Sequence, residues 1–131
     1  MTPKATFIYK ICPEQDWLSA ADKGIFTGTQ LDIEDGFIHF SPPEEVEATA
    51  AKYFAGQDGL VLVRFPVASL SAALKWEASR GDALFPHFYA PLDPRLADRV
   101  WPLRLNGRKH IFPEDMTRDT PHQEHLCDYI K

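Results

Sequence analysis

Two stretches place titratable side chains inside otherwise apolar runs. In Phe37-Ile38-His39-Phe40-Ser41, the two-residue period of an extended strand puts Ile38 and Phe40 on one face and His39 on the other, with Ser41 at the strand end. In Trp76-Glu77 and Phe85-Pro86-His87-Phe88-Tyr89, the same period aligns Lys75, Glu77 and Ser79 on one strand and Phe85, His87 and Tyr89 on the next. If these strands are neighbours, Glu77 and His87 pair, and the carboxylate fixes the imidazole tautomer and strengthens its hold on a proton. Such a pair serves as acid and base or orients a ribose, and it serves equally as an ion pair that holds a turn. His39, Glu77 and His87 are therefore the candidate catalytic residues, with a surface or hydrogen-bonded core histidine as the plainer alternative at His39.

Other chemistries find less support. His39, His87 and Glu77 match a two-histidine, one-carboxylate metal site by type but not by spacing, and His122, His125 and Cys127 lack a fourth ligand, so no metal is expected. Cys12 stands at a helix start, which lowers a thiol pKa, but it has no dedicated base. The chain contains no Walker loop, GxGxxG, GxSxG elbow or paired CxxC, which argues against P-loop phosphoryl transfer, Rossmann binding and serine hydrolysis.

The elements that would position these residues can be read from periodicity. Phe7–Ile11 alternates as a strand, with Phe7, Tyr9 and Ile11 on one face and Ile8 and Lys10 on the other. Pro13 opens a helix carrying Trp17, Leu18, Ala20 and Ala21, which Gly24 ends. Gly28 and Asp32–Gly36 read as loop, with Asp35-Gly36 turning into the strand Phe37–Phe40. Ser41, Pro42 and Glu44 have the form of a capping box that starts a second helix through Val46, Thr49, Ala50, Tyr53 and Phe54 to Gly56. Leu60–Phe65 reads as a central strand buried on both faces. Ala73–Ala78, Leu84–Ala90 and Val100–Leu105 complete the strands, separated by turns at Arg80-Gly81-Asp82 and Pro91–Pro94. Two main helices early and strands late predict an α+β domain with a mixed or largely antiparallel sheet. Its core spans about residues 7–112, and 113–131 read as a tail or terminal appendage.

Composition sets the limits. At 131 residues with 44% hydrophobic and 12% aromatic content, the chain makes one domain with its own core. No apolar run reaches the ~18–20 residues of a membrane span, and two distant cysteines, Cys12 and Cys127, cannot form a disulfide framework, so a cytoplasmic protein is expected. The net charge of −5 argues against general nucleic-acid binding. Yet residues 75–109 hold 7 basic against 4 acidic groups, which marks that stretch for a small anionic ligand.

Taken together, Ile8-Tyr9-Lys10-Ile11, then Trp17, Ala20 and Gly24, then Asp35 to Ser41, Trp76-Glu77 and Leu84 to Tyr89 resemble a small bacterial family called domain of unknown function 952, from about Phe7 to Leu105. The resemblance implies a compact fold like that of the ADP-ribosyltransferases, with no established activity for the family. The element order also looks like the first half of the tRNA 2′-phosphotransferases. In that comparison His39 matches the second of two histidines and Lys10 stands in place of the first, where an imidazole would hold the ribose hydroxyls of a nicotinamide dinucleotide. Glu77 would take the role of the acidic residue set against the ribose. On this basis the chain reads as an ADP-ribosyltransferase-like enzyme whose cleft takes NAD or a related nucleotide. His39 would polarise the ribose, Glu77 and His87 supply acid, base or charge, Trp76 or Tyr89 stack on a ring, Lys10 or Arg80 meet a phosphate, and Ser41 line the site. The alternatives are a non-catalytic nucleotide or metabolite-binding module on the same fold, and a protein-interaction domain whose acidic first half faces a basic partner.

Overall fold

The computed structural model describes residues 5–118. Along the chain run β1 (Phe7–Pro13), α1 (Glu14–Lys23), α2 (Gln30–Asp35), β2 (Ile38–His39), α3 (Val46–Tyr53), β3 (Leu60–Pro66), β4 (Leu74–Ala78), β5 (Leu84–Phe88), β6 (Arg99–Asn106) and β7 (Lys109–Ile111). They form an α+β domain with a four-stranded sheet ordered β1-β3-β6-β7 and a three-stranded sheet ordered β2-β5-β4, every pair antiparallel. The sheets meet through Tyr9 and Ser41, whose backbones exchange bonds of 2.9 and 2.8 Å.

Alternation along β1 and β3 builds two cores. Ile8, Cys12, Val61, Val63 and Phe65 face Trp17 of α1 and Ile38, Phe40 and Phe88 of the smaller sheet. Phe7, Tyr9, Ile11, Leu60 and Leu62 face Val46 and Ala50 of α3, with Leu103 and Met116. Burial on both sides explains the continuous apolar run of β3. The first helix begins after Pro13 and ends at Gly24, as its residues predict, with Gly24 in the left-handed conformation at φ 79°.

Three expectations are corrected. The acidic stretch Asp32–Gly36 is not a loop: it lies in α2 and its cap, started by a capping box in which Thr29 and Asp32 bond each other's backbone amides. Ser41 caps no helix. Its backbone is taken by Tyr9 and its hydroxyl lies 2.9 Å from Thr49 Oγ1, so the turn containing Pro42 delays α3 until Val46. Residues 113–118 are not an appendage, because Met116 is buried in the second core and its carbonyl accepts from Tyr9 Oη at 2.6 Å and Arg64 Nη1 at 2.9 Å. Residues 119–131, including His122, His125 and Cys127, lie outside the described residues.

Candidate functional site

β4 and β5 are neighbours, with Glu77 opposite Phe85 and Lys75 opposite His87. β2 lies on the other side of β5 with His39 opposite His87. Opposed residues share a face, so strand register alone brings His39, Glu77 and His87 together. The His39 and His87 ring centroids are 5.5 Å apart. His87 Nδ1 lies 2.8 Å from Glu77 Oε1, and Tyr89 Oη donates to the same oxygen at 2.7 Å. A carboxylate only accepts, so His87 carries its proton on Nδ1, and Nε2 is left without a partner among the described residues. Burial lowers the His87 pKa and outweighs the hydrogen bond that His87 donates to Glu77, which raises it. The two bonds from Tyr89 and His87 hold Glu77 below its ordinary carboxylate range.

The residue that organises His39 is Asp32, at the start of α2 and not in the expected loop. Its side chain is 1% exposed, with Lys10 Nζ at 2.7 Å and His39 Nδ1 at 2.6 Å. The amides of Thr29 and His39 add bonds at 2.8 and 3.1 Å. Burial pushes the Asp32 carboxyl pKa up, but the hydrogen bonds from His39 and Lys10 and the Lys10 charge outweigh it and hold the group well below the usual range. Gly28 makes this approach feasible: its φ is +102°, and a Cβ there would sit 2.4 Å from that of Asp32. On the outer side, His39 Nε2 lies 3.0 Å from Asp35 Oδ2.

These groups line a cavity of about 730 Å³, walled from β1, α2, β2, α3 and β5, which contains Lys10, Asp32, Asp35, His39, Ser41 and His87. Phe37, also missed, stacks on the His87 ring at 4.2 Å and lies 4.6 Å from His39 and 5.0 Å from Tyr89. Its position two residues before His39 placed it on the same strand face, and that alternation was the available signal.

Not every candidate converges. Trp76 alternates onto the opposite face and packs against the first core, so it does not stack over the histidines. Lys10 is buried and committed to Asp32 and to the His39 carbonyl, 2.9 Å from Nζ, which leaves one ammonium hydrogen for anything in the cavity. Glu77 and Tyr89 stand behind His87 and do not line the cavity. The expectation for the Arg80 side chain lies outside the described residues, and its backbone forms the turn Arg80–Asp82. Among the described residues, no group of three or more His, Cys, Asp or Glu is placed to hold a metal ion. Cys12 is fully buried and burial pushes its thiol up to about 12, which removes it as a nucleophile. In a Cys127→Ser variant, iodoacetamide at pH 8 is expected to leave Cys12 unmodified in the native protein and to alkylate it in urea, read by mass spectrometry.

A family model described as "Protein of unknown function (DUF952)" matches residues 11–100. The chain belongs to the DUF952 family. This DUF952 protein is similar to CC0527 from Caulobacter crescentus: the crystal structure is 45% identical, covers 80% of this chain and 92% of that one, and has a TM-score of 0.77. The solution structure of CC0527 is 43% identical, covering 83% and 92%, with a TM-score of 0.71. No match is found among curated proteins. Among the described residues of the DUF952 protein, no helix is long and apolar enough to cross a membrane.

Proposed function

We propose that the cavity is the active site of an ADP-ribosyltransferase-like enzyme that performs acid–base group transfer at the ribose of a nucleotide-type ligand. The observation that carries this reading is a pair of imidazoles 5.5 Å apart on one cavity wall, each held at Nδ1 by its own carboxylate. His87 is the base: burial favours its neutral form, and its bare Nε2 accepts a proton from an attacking hydroxyl. His39 polarises the ribose: one ring nitrogen is held by Asp32, and the other turns to a ribose hydroxyl once Asp35 yields its place. The attacking oxygen bonds to the ribose carbon as the C–N bond breaks, that bond's electron pair leaves with nicotinamide as a neutral base, and the hydroxyl proton passes to His87. Asp32 and Glu77 are positioning residues that fix the two rings.

The test is nicotinamide release from NAD by the purified protein, alone and with cell extract. His39→Ala and His87→Ala are each expected to lower the rate by about 10²–10⁴-fold. Release no greater than that of the His39→Ala variant overturns the enzyme reading. A second reading, a binding module without turnover, draws on Lys10 and His39 being satisfied by Asp32 and Asp35 with no ligand present. It is recognised by a raised melting point without turnover, since a ligand at 100 times its Kd adds ~2.7 kcal/mol of stability.

A further inference from the structure

The smaller sheet ends at β4, which pairs with β5 along one side and with no strand along the other among the described residues. Backbone bonds around it fix which groups face the open side. The Ala73 carbonyl accepts from the Tyr89 amide and the Ser79 amide donates to the Ala83 carbonyl, so the odd-numbered residues of this run turn their backbone to β5. Leu74, Trp76 and Ala78 therefore turn theirs outward. At five residues, β4 is longer than the terminal strands β2 and β7, and β1, the remaining terminal strand, already carries the bridge to Ser41 on its outer side. A free edge of this length is a template for another strand.

The side chains select which strand. About a two-fold axis through Trp76, β4 lies antiparallel to a copy of itself with Trp76 opposite Trp76, Leu74 opposite Ala78 and Lys75 opposite Glu77. One face of the pairing then joins apolar side chains, and the other joins opposite charges. The outward backbone groups complete the ladder, Trp76 amide to Trp76 carbonyl and Ala78 amide to Leu74 carbonyl in both directions, and the Leu74 amide, already 3.1 Å from the Ser71 carbonyl, is not needed. Lys75 and Glu77 fall at the non-hydrogen-bonded positions, where opposed side chains come closest. Lys75 is exposed, and Glu77 accepts from both His87 and Tyr89 at Oε1, which leaves Oε2 open to the ammonium. A register moved by two residues sets Lys75 against Lys75 or Glu77 against Glu77, so charge specifies this one.

We infer that β4 pairs with β4 of a second copy of this chain, forming a two-fold dimer with one continuous sheet in which Lys75 of each copy meets Glu77 of the other. The pairing stands apart from the transfer reading and is tested by mass, not by turnover.

Sedimentation equilibrium of the full chain at low salt is expected to show a reversible monomer–dimer mass as concentration rises. Lys75→Glu and Glu77→Lys each replace two attractive pairs by two repulsive ones and should each weaken the dimer by about tenfold or more. Mixed in equal amounts, these two variants regain both attractions in a heterodimer, so the mixture should recover the native mass distribution, which also requires both to be folded. Ala78→Pro removes an outward amide and leaves the β5 side untouched, a change that an edge strand accepts, and should leave a monomer. A native chain that is monomeric at every concentration, a dimer indifferent to all three substitutions, or a mixture no more dimeric than either variant alone overturns the inference.

Discussion

Asp32→Asn is expected to lower folding stability by about 3–5 kcal/mol, read as a drop in the urea midpoint at pH 7. The substitution keeps the shape of the side chain and removes its charge, leaving the Lys10 ammonium, 6% exposed, without its counter-ion. It also weakens the box that starts α2, because Asp32 accepts from the Thr29 amide. Lys10→Met combined with Asp32→Asn is expected to recover part of the loss, since the uncompensated charge is then gone. The pH dependence follows from the depressed carboxyl. A group whose folded pKa lies below its unfolded value contributes stability above the unfolded value and loses it as pH falls through the folded one. Acidification below about pH 4 should therefore destabilise the native protein more than the Asp32→Asn variant, and the gap between them should close. A variant within about 1 kcal/mol of the native protein at pH 7 would show that the pair is not the organiser described here.

Arg64→Met is expected to cost a comparable amount, about 3–5 kcal/mol. Arg64 is fully buried, lies with its guanidinium 3.7 Å from the Phe7 ring centroid, and forks onto Asp98 at 2.8 and 2.9 Å. Its remaining nitrogen donates to the carbonyls of Met116 and Arg118. Without it, the Asp98 carboxylate and the Arg118 carbonyl lose the arginine's donors, the Met116 carbonyl keeps only that of Tyr9, and the 113–118 turn loses an anchor. Arg64→Lys should rescue little, because an ammonium cannot reproduce the planar fork. The built-in control is Arg95→Ala at the Asp93–Arg95 pair, whose arginine is 82% exposed and whose loss should cost under ~1 kcal/mol. Equal costs at the two arginines would overturn the assignment.

The parts legible in the sequence were those governed by a short period. Alternation placed Phe7, Tyr9 and Ile11 opposite Ile8, and put His39, Glu77 and His87 on faces that the register then joined. The unread parts turn on local signals with competing meanings. Thr29-Gln30-Leu31-Asp32 carries a capping box in which Asp replaces the usual Glu or Gln, so the acidic run after Gly28 resembles a solvated loop. Ser41-Pro42-Pro43-Glu44 looks like a helix start, but the Tyr9 backbone claims Ser41 first, a contact across the fold that no local rule contains. Asn106-Gly107 is a hairpin signal that the β6–β7 pair realises, with a second strand only three residues long. The burial of Met116 depends wholly on distant partners.

The hydrogen bond from Tyr9 to Met116 closes a span of 107 residues, which sets an order on the birth of the molecule. At roughly 5–20 residues per second of synthesis, the turn that completes the second core emerges ~5–20 s after the strand it locks. Until then, β1 has only part of its packing and the Arg64 guanidinium lacks two of its acceptors. The hairpin of β4 and β5, which carries Glu77 and His87, is local and can form early, whereas Lys10 lies on a strand whose packing is completed only by Met116. The finished cleft is therefore a late product of translation, assembled only when the last described residues have arrived.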